Sequence, residues 1–276
     1  MLPRKKLSEL KARFRLEPTL DDVFVEGDRD KKLLDQAHKH KERNRPTYSI
    51  STIEIPAKLL ADLGFTDGNR QRVLALCRTL GLPSECGVHF LIDADMDRQL
   101  NREISMPRLS YTCYTDVDGV FFSSSMLENL VINAGRASVD DWPTLFRSIE
   151  DVVRKIFCVR LAVEELALGV GLPSISKSLS KTKTELRFDL DAFVSKLSTQ
   201  SVDPQGIQEV KDRAAKWDEK TSGVEARMAG RGHDYFEVLA WVIKKFGGKT
   251  GVADALEDIV VLLVPSVAND LLAPLG

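Results

Sequence analysis

Acidic residues follow three short apolar segments of the sequence, each at the point where the segment ends. The acids and the segments they follow are Glu26 after residues 23–25, Asp93 and Asp95 after 88–92, and Asp116 and Asp118 after 109–115. Ligands of a parallel sheet bind beyond the carboxyl ends of its strands, so these acids converge if the segments are neighbouring strands. Clustered carboxylates repel one another, and their burial requires a cation or bound protons. Oxygen ligands suit Mg²⁺ or Mn²⁺, and such an ion can activate water and orient a phosphodiester.

Each single acid also has an ordinary explanation, because loops that follow strands are solvated and polar. The combination of an acid-glycine pair after the first segment with Asp-x-Asp after the second favours a shared site. Asp97 is either a third ligand or an acid at a helix start, where the helix dipole favours it. Asp30 either binds the ion or pairs with the neighbouring Arg29 or Lys31. Asp116 is a candidate for supporting the ligands.

The acidic segment 93–97 does not match two other motifs that begin in the same way. An EF-hand loop requires glycine at its sixth position and glutamate at its twelfth, where this sequence has Arg98 and Ile104. A haloacid-dehalogenase phosphatase has threonine or valine where this sequence has Asp97.

Residues 246–250 are similar to the end of a P-loop, but Ile243 stands where the required glycine would be.

Strand and helix patterns alternate through the first half of the chain. Strands are predicted at 23–25, 48–55, 88–92 and 109–115, and helices around Leu33 and Leu34, from Asn69 to about Leu80, and from Ser125, where Ser125 and Glu128 form a capping box. This alternation predicts an α/β fold, with a mostly parallel sheet flanked by helices, over residues 1–135.

A mainly helical C-terminal region is predicted for residues 136–276. Apolar residues have helical spacing at 149–168, 206–217, 235–246 and 252–263, whereas residues 173–185 are rich in Ser, Thr and Lys and are predicted to be a loop or linker. The apolar helices would provide an interface with a partner or with further copies of the chain, as a dimer or higher oligomer. Burial in a core is the simpler explanation of the same helices.

The composition is that of a globular protein, with 276 residues of which 43% are hydrophobic and 29% charged. A net charge of −2 gives no global positive field, so nucleic-acid binding must rest on local patches. Four cysteines without CxxC spacing favour a reduced setting over a disulfide framework or a cysteine zinc site. The longest aliphatic run, 259–264, is far shorter than the roughly 20 residues of a membrane helix. We therefore expect a soluble, cytoplasmic protein with no membrane contact.

Three segments of the sequence are similar to a known fold. They are VFVEGDRD at 23–30, HFLIDADMD at 89–97 and TDVDGVFFSSSMLEN at 115–129. Together they resemble a Toprim fold and, more narrowly, the domain family formerly catalogued as DUF4435, which includes the Toprim nuclease subunit of the PARIS anti-phage system. The motifs cover about residues 20–135.

The resemblance implies roles for particular residues. Toprim proteins hold divalent metal for phosphodiester chemistry with residues that match Glu26, Asp93 and Asp95, and Asp30 falls where OLD-type nucleases place a second acid. The segment around Glu128 resembles an acidic helix start of the family and nominates that residue as catalytic. The resemblance further implies a toxin nuclease held by an ABC-type ATPase partner, released on phage infection and acting on RNA, in particular tRNA.

Several basic residues have both a functional and an ordinary explanation. Phosphate contact is the functional explanation for Lys177, Lys181, Lys183, Arg231 and His233, and solvated surface or helix capping by the adjacent Asp234 is the ordinary one. His38 and His40 are predicted at an exposed helix end, with RNA contact as a weaker alternative. His89 lies in an apolar strand, where a core histidine is expected.

Three alternatives to an RNA nuclease stay open on the sequence. The first is a non-catalytic Toprim scaffold that binds an ATPase or nucleic acid. The second is a DNA nuclease of the OLD type. The third is nucleotidyl transfer as in primases, which would consume nucleoside triphosphates.

Overall fold

The computed structural model describes residues 4–82, 86–200 and 202–276. The chain divides into two compact units, one comprising Met1–Val117 with Leu263–Gly276 and the other comprising Asp118–Leu262. The predicted boundary at residue 135 therefore lies inside the second unit. The C-terminal segment, predicted as part of the helical region, belongs with the first unit.

The first unit contains an α/β layer with a parallel sheet, as predicted. Its elements are β1 (Lys5–Lys6), α1 (Leu7–Leu16), β2 (Val23–Val25), α2 (Asp28–His40), β3 (Thr47–Ser49), β4 (Ile53–Glu54), α3 (Ala57–Asp62), α4 (Asn69–Thr79), β5 (His89–Ile92), α5 (Asp97–Leu100) and β6 (Leu109–Tyr111). Four strands form one parallel sheet in the order β3-β2-β5-β6. The chain leaves β2 toward β3 and later returns to the other side of β2 as β5, which makes the β2–β5 junction a topological switch point.

Aromatic packing holds the centre of this sheet. Phe24 on β2 is fully buried, and its ring stacks on Tyr48 of β3 and on Phe90 of β5, each with ring centroids 5.6 Å apart. Phe14 of α1 meets the same ring edge-on at 6.3 Å. All three residues of β2 are buried, as expected of a central strand in a parallel sheet.

Two predicted strands are shorter in the structure than in the sequence pattern. The strand predicted at 48–55 is interrupted by a 3₁₀ turn at Ile50–Thr52, because Ser49 accepts a hydrogen bond from the Ser51 N–H and starts that turn. Its second part, β4, pairs with β1 in a separate two-stranded sheet. The strand predicted at 109–115 ends at Tyr111.

The second unit is mainly helical. Its elements are α6 (Ser124–Glu128), α7 (Trp142–Glu165), β7 (Leu179–Lys181), β8 (Leu186–Phe188), α8 (Leu190–Ser195), α9 (Pro204–Thr221), α10 (Gly232–Lys245), α11 (Thr250–Asp254) and α12 (Leu256–Ile259). The long α7 begins at an Asp141 carboxylate that accepts the Thr144 N–H, and it packs against α9 and α10.

The predicted capping box at Ser125 and Glu128 is wrong. Helix α6 begins at Ser124, after Ser123, so Glu128 is its last residue, and a π-helix follows at Asn129–Ala134. Three consecutive serines precede Met126, and each is an acceptable residue at a helix start, so local pattern does not choose among them.

The predicted loop at 173–185 is also largely structured. Strands β7 and β8 form an antiparallel hairpin, preceded by a 3₁₀ turn at Ile175–Ser178. One Glu237 carboxylate oxygen accepts three hydrogen bonds from this turn, from the Ser174 hydroxyl and from the Ile175 and Ser176 N–H groups. A carboxylate 61 to 63 residues later in the chain therefore orders a segment whose composition is typical of a loop.

The end of the chain, α13 (Val264–Leu272), packs against α2. The stretch Leu256–Leu275 is long and apolar enough to cross a membrane by length and composition alone, with a mean hydropathy of 1.6. A core helix passes the same test, and α13 buries Val264, Val267 and Leu271. The helical stretch also changes to 3₁₀ geometry at Val260–Leu263. We therefore assign α13 to the core of the first unit.

The aromatic stack predicts a large cost for truncating its central ring. We expect Phe24→Ala to lower the free energy of unfolding by about 3–5 kcal/mol, because the substitution leaves a cavity between three strands. Urea denaturation followed by circular dichroism measures this change. Leu16→Ala, at a side chain that is 82% exposed, is the control and should change stability by less than about 0.5 kcal/mol. Equal effects of the two substitutions would contradict the central role of Phe24.

Candidate functional site

The candidate site lies at the switch point between β2 and β5. Glu26 follows β2 directly and Asp93 follows β5 directly, so hydrogen bonding between the two strands brings these residues to one edge. The Asp93 backbone N–H donates to Glu26 Oε1 at 3.0 Å. The backbone that follows β5 thus orients the Glu26 carboxylate. The sequence pattern predicted that the two acids converge, and the structure brings them together.

The turn after β5 has an unusual backbone. Asp95 adopts a φ of 44°, a left-handed conformation that is uncommon for a residue other than glycine. Its N–H donates to the Thr115 carbonyl at 2.6 Å, and the preceding Ala94 N–H donates to the Thr112 hydroxyl at 3.0 Å. The segment after β6 therefore holds this turn in place, and strain of this kind is found preferentially at functional sites.

Burial and repulsion by neighbouring acids raise the pKa values of Glu26 and Asp93. Burial raises the pKa of Asp93 well above its usual range, and the carboxylates of Asp30, Asp116, Glu26 and Asp95 raise it further. Burial raises the pKa of Glu26 to about 7, although the Asp93 N–H and the cation of Arg70 act in the opposite direction. The site therefore tends to hold protons, or to bind a cation, at neutral pH.

Arg70, near the start of α4, lies among these acids. Its Nη1 donates to the Asp93 carbonyl at 2.7 Å and lies 3.6 Å from Asp95 Oδ2 and 3.9 Å from Glu26 Oε1. Its Nη2 pairs with the Asp97 carboxylate. The sequence pattern does not predict this role for Arg70, because nothing in the spacing of a helical arginine 44 residues after Glu26 indicates that it reaches the ends of two strands.

The structure resolves the alternatives for Asp30 and Asp97 in part. Asp30 Oδ2 accepts the Gly27 N–H at 2.8 Å at the start of α2, while Lys31 pairs with Asp35 instead. Asp30 is also among the carboxylates that raise the pKa of Asp93. Asp97 is the first residue of α5 and pairs with Arg70. Both acids thus have structural partners and lie beside the candidate ligands.

The remaining predicted catalytic residue belongs to the other unit. Glu128 is exposed at the end of α6, in the unit Asp118–Leu262. Asp116, in contrast, belongs to the first unit and contributes to the repulsion at Asp93.

The candidate phosphate-binding residues lie in the second unit. Lys177, Lys181 and Lys183 are exposed, and the Lys181 ammonium lies 4.2 Å from the centre of the Phe246 ring. Arg231 precedes α10, and the His233 side chain is 76% exposed, with Nδ1 3.8 Å from a Glu257 carboxylate oxygen.

Asp234 does not simply cap α10. Both of its carboxylate oxygens accept hydrogen bonds from the Arg160 guanidinium of α7, at 2.5 and 3.0 Å, and the residue is fully buried. This two-point ion pair fixes the start of α10 to α7.

One histidine prediction is wrong. His40 is exposed at the end of α2, as expected, but His38 is only 2% exposed. His38 lies one helical turn after Leu34 on the buried face of α2. Burial and the neighbouring Arg45 and Arg43 lower its pKa, which favours the neutral ring. His89 is half-buried in β5, and burial lowers its pKa as well.

The acids fit a divalent cation by chemistry but do not yet form a complete ligand set. Among the residues that the structure describes, no three His, Cys, Asp or Glu side chains form a group that could hold a metal ion as they stand. The donor atoms at the β2–β5 edge are nevertheless carboxylate oxygens, which Mg²⁺ and Mn²⁺ prefer. A cationic group, the Arg70 guanidinium, already contacts Glu26 and Asp95.

Comparison with known proteins does not assign the chain to a family. No family model matches the chain, and no curated protein matches it.

The raised pKa of Glu26 predicts a pH-dependent stability. A pKa of about 7 in the folded state, against about 4.5 when unfolded, means that the folded state binds the proton more tightly. The proton on Glu26 therefore stabilises the folded state fully below pH 4.5. About 3 kcal/mol of this stabilisation is lost as the pH rises through 7. Glu26→Gln cannot ionise, so in EDTA it should become more stable than wild type as the pH rises from 4.5 to 8. Urea denaturation across this range measures the difference, and a difference that does not change with pH would contradict the assignment.

Proposed function

We propose that this protein is a Mg²⁺- or Mn²⁺-dependent nuclease of the Toprim type. The observation that carries the proposal is the meeting of Glu26 and Asp93 at the switch point of a parallel sheet, where three further carboxylates, those of Asp30, Asp95 and Asp116, also act on Asp93. Ligand sites of such sheets lie at this edge. Repulsion among buried carboxylates is relieved by a divalent cation more fully than by any neutral ligand.

Glu26, Asp93 and Asp95 would hold the ion, with Asp97 and Asp30 beside them. When bound, the ion supplies charge stabilisation for the phosphodiester and lowers the pKa of water. Burial raises the pKa of Glu26 to about 7 in the metal-free protein, and a bound cation would lower it by favouring the ionised carboxylate. The Asp93 N–H keeps Glu26 Oε1 directed toward the neighbouring strand end.

The proposed substrate is RNA, in particular tRNA, and the proposed partner is an ABC-type ATPase that holds the nuclease as the toxin of an anti-phage system. These parts rest on the resemblance to the Toprim nuclease subunit described above. With a net charge of −2, the protein must contact a nucleic acid through local cations. Lys177, Lys181 and Lys183 are exposed candidates.

The direct test is cleavage by the purified full chain. Bulk tRNA and plasmid DNA are incubated with protein and Mg²⁺, Mn²⁺ or EDTA, with and without the ATPase. We expect metal-dependent cutting of tRNA that Glu26→Ala lowers at least about 10³-fold, because the variant loses a ligand of the ion. Cleavage of plasmid alone would support the proposed site but identify DNA, not RNA, as the substrate.

The matched control is Glu54→Ala, at an exposed carboxylate on β4 of the same unit. It should cut as wild type does, which separates the role of Glu26 from a general loss of charge. Unchanged cleavage by a folded Glu26→Ala protein would refute the site. Metal binding without cleavage under every condition, including the ATPase, would instead favour a scaffold.

A further inference from the structure

The Arg70 guanidinium touches three segments that carry the candidate ligands. It donates to the Asp93 carbonyl after β5, it lies within 4 Å of the Glu26 and Asp95 carboxylates, and it pairs with Asp97 at the start of α5. Its side chain is 17% exposed. The Tyr111 ring of β6 lies 5.6 Å from the guanidinium carbon. Few alternative positions are therefore open to the guanidinium while these contacts last.

Carboxyl groups outnumber the cation at Arg70. The carboxylates of Glu26, Asp95 and Asp97 all lie within 4 Å of its guanidinium, and Arg102 is a second cation near Asp97. Arg70 Nη1 lies beside Glu26 Oε1 and Asp95 Oδ2, which are carboxylate oxygens of two proposed metal ligands. A divalent cation bound by these carboxylates would therefore be repelled by the guanidinium.

We propose that Arg70 is an internal counter-ion that competes with the divalent cation, so that metal binding displaces its guanidinium from Glu26 and Asp95. This inference rests on the proposed function, because it concerns the same site. In the metal-free protein Arg70 holds the acids together; in the metal-bound protein it is released from them. The threshold of metal concentration at which the site fills is thereby set by a residue outside the ligand set.

Metal binding by purified full-length variants tests the inference without an activity assay. Isothermal titration with Mn²⁺ in the absence of nucleic acid compares wild type, Arg70→Met and Glu26→Ala. We expect Arg70→Met to bind Mn²⁺ roughly tenfold more tightly, because a competing positive charge has been removed. Arg72→Met is the matched control, since Arg72 lies on the same helix but pairs with Asp67, which is 66% exposed. It should bind Mn²⁺ as wild type does.

The possible outcomes separate the two proposals. If Arg70→Met and wild type bind with equal affinity while Glu26→Ala does not bind, the inference fails and the proposed metal site stands. If no variant binds Mn²⁺, or if Glu26→Ala binds as wild type does, both fail. Should Arg70→Met not fold, Arg70→Lys replaces it; lysine keeps the charge but lacks the two-armed guanidinium, and its affinity should lie above that of wild type.

A second measurement observes the displacement itself. In ¹⁵N-labelled wild-type protein, the Nε–Hε resonance of Arg70 is identified by its loss in Arg70→Lys. Titration with diamagnetic Mg²⁺ should shift that resonance, while the Arg72 resonance stays in place. An Arg70 resonance that does not move at Mg²⁺ saturation would show that the guanidinium stays on the carboxylates, which overturns the inference.

Discussion

Repulsion among partly buried carboxylates at the carboxyl edge of β2 and β5 is the constraint to which the surrounding structure responds. Asp93 is raised in pKa by burial and by four neighbouring acids. Isolated buried charges of this kind are costly, so partners must be close at hand. A backbone N–H satisfies Glu26 and a guanidinium spans Asp95 and Asp97. These contacts thus reduce the electrostatic repulsion among the carboxylates.

The elements behind the acids make that geometry rigid. Phe24, two residues before Glu26, is fixed between the rings of Tyr48 and Phe90, which ties β2 to the strands on both sides. The strained Asp95 backbone is held by the Thr115 carbonyl. A site that keeps several carboxylates together requires this support, because a looser scaffold would let the carboxylates separate.

In the second unit, polar side chains join segments that are distant in the sequence. Glu237 binds the turn before the β7–β8 hairpin through three hydrogen bonds, and Arg160 holds the buried Asp234 through two. Each of these contacts joins residues more than 60 positions apart. Removing one partner would leave a buried or half-buried charge unpaired, which costs more than the bond itself contributes.

The sequence by itself determined the α/β class, the central strands β2 and β5, and the convergence of Glu26 with Asp93. Strands are predicted from the local pattern of apolar residues, and the convergence of the acids follows because the carboxyl ends of parallel strands lie at one edge of the sheet. Neither prediction needs coordinates. The helical spacing from Leu34 to His38 also carried a signal for the burial of His38 on α2. The sequence could not determine that Arg70 enters the cluster, or that α13 packs against α2. Only the tertiary structure decides such contacts, because they join residues whose separation along the chain carries no periodic signal.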